Sequence, residues 1–228
     1  MKILVSWSSG KDSAWMVHLL RQQSLPIGGL LTTINEAAQR VAMHAVRVEL
    51  LDAQAEALGL PLWTVPIPSP CPNEIYERQM SAAVSRAATD GFTHVAFADL
   101  FLQDVRRYRE DHLAGTGLMP LFPLFGDDRI TGALAREMIA AGLRARITCI
   151  DPRQLDRRFA GRDFDARLLR DLPASVDPCG ERGEFHTFAY AGPMFAQPIA
   201  IDVGSTVERD GFVFTDLTCP ATPSASSV

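Results

Sequence analysis

Apolar residues first gather at Ile3, Leu4 and Val5, a run rich in β-branched side chains that suits a strand buried on both faces. The run breaks at Ser8-Ser9-Gly10, after which Trp15, Val17, Leu19 and Leu20 give apolar surface to a helix opening near Asp12. The alternation then repeats. Residues 27–34 read as a second buried strand, and 44–58 as a helix with Val46, Leu50, Ala53 and Ala57 at helical spacing, stopped by Gly59 and Pro61. A third strand over 62–67 is closed by Pro66, Pro68, Pro70 and Pro72, which forbid regular structure. A helix over 74–90 carries Tyr76, Met80, Ala83 and Ala87 on one face, and a fourth strand over 94–98 ends at Asp99.

Strands alternating with helices at this spacing predict an α/β fold: a doubly wound, Rossmann-like parallel sheet whose ligands gather at the carboxyl ends of its strands. The pattern changes after about residue 115. The apolar stretch 118–125 is interrupted by prolines and predicts a packed crossing segment rather than a central strand. Thr131 is expected to cap a helix running to 141, 144–150 to form a strand, and 155–172 to form a basic helix stopped by Pro173. A β-rich part follows over 185–190, 199–203 and 207–214, with Arg209-Asp210-Gly211 as a turn. The expected division is a first domain over 1–115, a smaller α+β lobe over 116–218, and a disordered Pro/Ser/Ala-rich tail over 219–228.

A strand, a small-residue loop and a helix N-terminus make a ready anion site, because free backbone N–H groups and the helix dipole both point out of the first turn. Lys11 adds a full charge and the serines add short donors. The Walker pattern fails here: the residue five before Gly10 is Val5, and Lys11 is followed by Asp12 where a Mg-binding hydroxyl belongs. Ser8-Ser9-Gly10-Lys11-Asp12-Ser13 instead resembles the SGGxDS loop of the PP-loop ATP pyrophosphatases, which cleave ATP between the α and β phosphates. Ser9 replaces the first of that loop's paired glycines, so a positive φ at this position would strain it. An ordinary small-residue turn into a surface helix is the plainer alternative. Thr32, late in the second strand, joins the loop residues as a nucleotide-binding candidate.

Two further stretches carry chemistry. Asp99 follows a buried strand directly, where a carboxylate can reach a bound nucleotide or its Mg²⁺; on a helix it would lead the N-terminus, with Arg106 and Arg109 as i, i+3 neighbours. Arg107 and Glu110 read as a solvated face. Between Asp177 and Phe188, acidic residues, glycines, Cys179 and His186 crowd ahead of a strand whose alternation puts Glu184 and His186 on one face, a pair suited to acid–base work or to handling ammonia. A polar turn entering a hairpin explains the same spacing about as well, and Cys179 reads as a packed structural residue.

Composition narrows the classes. The chain has 228 residues, 47% of them hydrophobic and 21% charged, enough for one sizeable core and too apolar for disorder. Its formal charge of −5 argues against broad nucleic-acid binding, and no apolar run reaches the ~18 residues of a membrane span. Cys71, Cys149, Cys179 and Cys219 form no CxxC, so neither a zinc knuckle nor a disulfide framework is expected, and the cytoplasm is the expected location.

WSSGKDS, FADLFLQDVRRYRE, GLMPLFPLFG and DPCGERGEFHTF, in that order across residues 2–203, together resemble the diphthine–ammonia ligase family, and more closely its bacterial, adenine nucleotide α-hydrolase-like relatives. Phe125 stands where the family has Trp, and Ala98 where a Gly precedes the carboxylate. The resemblance implies an ATP- and Mg²⁺-dependent amidation. A substrate carboxylate attacks the α-phosphate, pyrophosphate leaves, and ammonia displaces AMP from the acyl-adenylate. Lys11 and the loop would stabilise phosphate charge, while Glu181, Glu184 and His186 would close over the α-phosphate and hold the acceptor. The implied partners are ATP, ammonia and a carboxylate acceptor, small molecule or protein, with homodimerisation left open; in the family the acceptor is diphthine on elongation factor 2. PP-loop tRNA modification and nucleotide sensing without turnover are the competing readings.

Overall fold

The structure is a computed structural model and describes residues 1–41 and 44–220. From residue 221 onward the expected tail lies outside the described residues. The first half runs β1 (Ile3–Ser6), α1 (Lys11–Gln22), β2 (Ile27–Asn35), β3 (Arg40–Val41), α2 (Val48–Leu58), β4 (Leu62–Ile67), α3 (Asn73–Thr89), β5 (His94–Ala96), α4 (Gln103–Leu113) and β6 (Met119–Leu121). β2 pairs in parallel with β1 and β4, β1 with β5, and β5 with β6; the short β3 folds back antiparallel on the end of β2. The result is a mostly parallel sheet. Alternation along β1 divides its side chains between two layers. Ile3 and Val5 join Trp15, Leu20, Leu50 and Leu51 of α1 and α2, whereas Leu4 joins Val65, Val95 and Ala87 with α3 and Leu113 of α4. Helices on both faces are what the continuous apolar strands required.

The second half runs α5 (Thr131–Ala140), β7 (Arg144–Ile150), α6 (Ala166–Asp171), β8 (Phe185–Ala191), β9 (Asp202–Arg209) and β10 (Phe212–Thr218). Its four strands form an antiparallel sheet in the order β8-β7-β10-β9. Asp210 and Gly211 turn β9 into β10 with φ of 52° and 79°, the left-handed pair that a two-residue hairpin turn demands. The two sheets share one core, since Ile3 and Val5 belong to the same buried cluster as Ile147, Phe185 and Phe188.

Several elements differ from expectation. The helix expected from 44 begins at Val48, because Ala45 takes φ 55° and Arg40 bridges to Arg47, closing 44–47 into a turn. Residues 118–125 are more than a crossing segment: 119–121 form β6, and Pro120 is tolerated because this strand is the sheet's edge. Thr131 does not cap α5; it is the first helical residue, and its hydroxyl donates to the Asp128 carbonyl. The long basic helix over 155–172 is absent. A 3-10 turn at Arg157–Phe159 and the short α6 replace it, because Gly161 takes φ 71° and the Asp165 carboxylate restarts the helix by accepting from the Arg167 and Leu168 amides. The strand expected over 199–203 starts only at Asp202.

Candidate functional site

The phosphate-type loop leaves β1 and enters α1 at Lys11. Ser9 takes φ 68°, so the left-handed backbone that the loop needs is held by a non-glycine residue. Two donors grip its carbonyl: Gln54 Nε2 at 2.9 Å and the Ala189 amide of β8 at 3.0 Å. The same Gln54 amide donates to the Ala189 carbonyl, and its oxygen accepts from Trp7 Nε1 at 3.0 Å. Gln54 is fully buried. It therefore ties α2, the loop and β8 into one unit. Gly10 is closely packed for a different reason, since a Cβ there would meet His44 Cε1 at 3.1 Å and the Thr187 carbonyl at 3.3 Å. Ser13 donates to the Gly10 carbonyl, and Ser8 Oγ accepts from the Gly10 amide at 3.3 Å. Thr32 lies beneath the loop, buried, with its hydroxyl donated to the Trp7 carbonyl at 2.8 Å.

Lys11 is buried and internally ligated. Its ammonium donates to Asp12 at 2.9 Å and to the Cys179 carbonyl, and lies 5.3 Å from the ring centres of Phe164 and Phe185. Its amide, at the open N-terminus of α1, donates to Thr187 Oγ1 at 3.1 Å. Burial is the largest influence and would lower the lysine pKa; Asp12, Cys179 and Glu181 together outweigh it and keep the ammonium charged. Burial pushes Asp12 upward against the pull of Lys11.

The loop over 177–184 is assembled by two carboxylates. Asp177 accepts from the Cys179 and Glu181 amides, and Glu184 accepts from the Asp177 amide at 2.8 Å and the Arg182 amide at 3.0 Å. Both carboxylate oxygens of the buried Glu184 are thus bonded to backbone amides of the loop, away from His186. Gly180, at φ 71°, allows the Phe185 carbonyl to approach where a Cβ would sit at 2.7 Å. What the loop presents is Glu181, whose Oε1 accepts from the Leu100 amide at 2.7 Å. Burial, together with Asp12 and Asp99, pushes Glu181 up to about 7, against the Leu100 bond and Lys11.

Asp99 sits beyond the end of β5, four residues ahead of α4 rather than at its N-terminus. Its Oδ2 is 3.6 Å from Arg109 Nε, and burial raises its pKa. Arg106 pairs with Glu110 at 2.8 Å, the i, i+4 ion pair of a solvated face. His186 does not pair with Glu184; its ring lies tilted by 37° against that of His44, with the centroids 4.6 Å apart. His44 Nδ1 lies 3.2 Å from the Thr187 carbonyl, which can only accept, so Nδ1 carries the proton. Burial pushes His44 down to about 3 and His186 to about 4, leaving both imidazoles neutral.

The structure thus brings Lys11, Asp12 and Asp99 within electrostatic reach of Glu181 and sets His186 against His44, while the Thr32 hydroxyl and the Glu184 carboxylate bond to backbone. Gln54, His44 and Thr187 were not singled out from the sequence. For Gln54 a signal existed: it is a polar residue within the apolar stripe of α2. For Thr187 and His44 none did, because their partners lie more than a hundred residues away. Asp12 Oδ1, Asp99 Oδ2 and Ser9 Oγ are buried without a hydrogen-bond partner. Two of these are acceptor-only carboxylate oxygens, which suits a cation arriving with a polyphosphate. Among the described residues no group of three or more His, Cys, Asp or Glu is placed to hold a metal, so phosphate oxygens would have to complete any Mg²⁺ shell.

A parallel sheet carrying a phosphate-type loop at its first strand, lidded by a second sheet that supplies carboxylates, defines a two-lobed protein of nucleotide-binding type. The chain belongs to the diphthine–ammonia ligase family: residues 1–96 match the diphthamide synthase N-terminal domain and 131–215 the C-terminal domain. It is 28% identical over 239 residues to diphthine–ammonia ligase of Danio rerio (91% of this chain, 89% of that protein). It is 26% identical over 246 residues to that of Bos taurus (94% and 88%). A solved structure described as a predicted subunit of tRNA methyltransferase from Methanocaldococcus jannaschii covers 83% of this chain and 96% of its own, with 14% identity and a TM-score of 0.43, too distant a likeness to bear on function. Among the described residues no helix is long and apolar enough to cross a membrane.

Proposed function

We propose that the protein is an ATP-dependent ligase that activates an acceptor carboxylate as an acyl-adenylate, releases pyrophosphate, and forms an amide with ammonia as AMP leaves. The observation that carries this reading is the meeting of Lys11 and Asp12 from the first lobe with Glu181 from the second, beside Asp99 at the strand ends. The loop residues Ser8, Ser9, Gly10, Asp12 and Ser13 hold the phosphates through the first turn of α1, with Thr32 bracing the loop from below. Lys11 stabilises charge developing on the α-phosphate and ties the two lobes together. Mg²⁺ accompanying the nucleotide would add neutralisation of phosphate charge, with Asp99 and Asp12 as the residues that would face it.

Glu181 acts as the base. With its pKa near 7 it can take a proton from the incoming nitrogen at neutral pH, while its bond to Leu100 holds it in place. His186, neutral and set against the neutral His44, lines the site without adding charge. Glu184 shapes the loop that aims Glu181.

One observation favours nucleotide sensing as a second reading: the Lys11 amide is engaged by Thr187, and two of the three donors of its ammonium by Asp12 and Cys179. Product analysis separates the two. Purified protein given ATP, Mg²⁺ and ammonium, with and without cell extract as acceptor source, is expected to release AMP and pyrophosphate only with extract. Lys11→Ala should abolish that release, and Glu181→Gln should slow sustained release sharply while leaving residual turnover. Tight ATP binding with no AMP under any condition selects the sensor, and ADP as product excludes both.

A further inference from the structure

We propose that Arg109, beside Asp99, grips the pyrophosphate end of the bound nucleoside triphosphate; the inference rests on the ATP reading above and adds a site residue to it. In a doubly wound sheet the ligand lies at the strand ends where the order of strands reverses, here between β1 and β5. Lys11 stands at the end of β1, and Asp99 with Arg109 stands past the end of β5. Glu181, bonded to the Leu100 amide next to Asp99 and under the influence of both Asp99 and Lys11, joins the two ends.

The Asp99–Arg109 pair is incomplete. Its 3.6 Å separation is too long for a hydrogen bond, and both facing atoms, Asp99 Oδ2 and Arg109 Nε, are shielded from solvent with no other partner. Buried polar atoms of this kind ask for a missing ligand. The neighbouring Arg106 offers a contrast, since its Nε is bonded to Glu110 at 2.8 Å. Arg109 is also aimed. Its guanidinium lies 5.1 Å over the Phe97 ring, and Phe97 stacks on Phe122 at 5.6 Å, so an aromatic shelf fixes the plane of the fork.

The charge requirement points the same way. Cleavage between the α and β phosphates leaves a pyrophosphate that carries most of the triphosphate charge. The Lys11 ammonium is already bound to Asp12 and Cys179, and the other side chains around it include the carboxylates of Glu181 and Asp177. A planar guanidinium presents two N–H groups side by side to two phosphate oxygens at once, which an ammonium does not. Arg109 is that group.

The test is titration calorimetry on the intact protein in Mg²⁺, with ATP, AMP and inorganic pyrophosphate as probes. Arg109→Gln is expected to weaken ATP and pyrophosphate binding at least tenfold and to leave AMP within twofold. Arg109→Lys, which keeps the charge and loses the fork, should fall between. Equal weakening of ATP and AMP, or no change in either, overturns the assignment, and matched melting temperatures guard against a folding effect. Wild-type protein that binds none of the three overturns the ATP reading itself, which distinguishes that failure from failure at Arg109 alone.

Discussion

Ser9 carries a Cβ in a backbone region that costs an L-residue about 1–2 kcal/mol, and it is kept there by two donors on its carbonyl. Ser9→Gly relieves that strain at some cost in chain entropy, so a net gain of about 0.5–1 kcal/mol is expected, read as a melting temperature raised by about 1–4 °C. Gln54→Leu acts in the opposite direction. It strands Trp7 Nε1 and leaves the Ser9 and Ala189 carbonyls one donor short, and it should cost about 2–3 kcal/mol in denaturant unfolding. Glu181 supplies the pH dependence. If the carboxylate form is the base, turnover should climb with pH to a plateau above about 7, and Glu181→Gln should remove that limb. Its effect on stability has the other sign. A carboxyl whose pKa is raised by folding favours the fold most at low pH, and that contribution fades as pH rises from about 4.5 to 7.

At the scale of elements, the clasp between the lobes is the part most open to measurement. Asp216 on β10 accepts from Arg47 Nη2 at 2.7 Å and from Arg40 Nη1 at 2.9 Å, joining the second sheet to the turn after β2. The two arginines lower its pKa, so its contribution is present above the ordinary carboxylate range near 4 and is lost as pH falls through the folded value. Asp216→Asn should therefore cost about 1 kcal/mol at neutral pH, a modest figure because the pair is partly exposed, and should flatten the acid limb of the unfolding curve. Elements whose own residues dictate them were legible in the sequence. The runs at 62–67 and 144–150 form strands over those bounds because apolar, β-branched residues fill them between breakers. The stretch 155–172 misled because its apolar spacing is helical, while Gly161, Asp156 and Asp165 break it through local caps. Of the proposed site residues, Lys11, Asp99 and Glu181 stand out in the sequence by motif and position. Gln54 and Thr187 act only through contacts made by the folded chain, and Glu184, with the right chemistry for catalysis, is absorbed by backbone amides of its own loop.

The whole molecule is organised so that neither lobe holds the site alone. The first supplies the phosphate-type loop, and the second closes on it through three separate bonds: Ala189 to the Ser9 carbonyl, Thr187 to the Lys11 amide, and the Cys179 carbonyl to the Lys11 ammonium. The chain's two halves match the two domains of the family. The central claim is that this paired site spends ATP to fix ammonia as an amide. The most direct measurement is ¹⁵N incorporation from labelled ammonium into extract components, followed by mass spectrometry beside AMP release. ¹⁵N-amide appearing only with ATP and active protein, one nitrogen per AMP, is the predicted result. AMP and pyrophosphate released with no ¹⁵N fixed would contradict it.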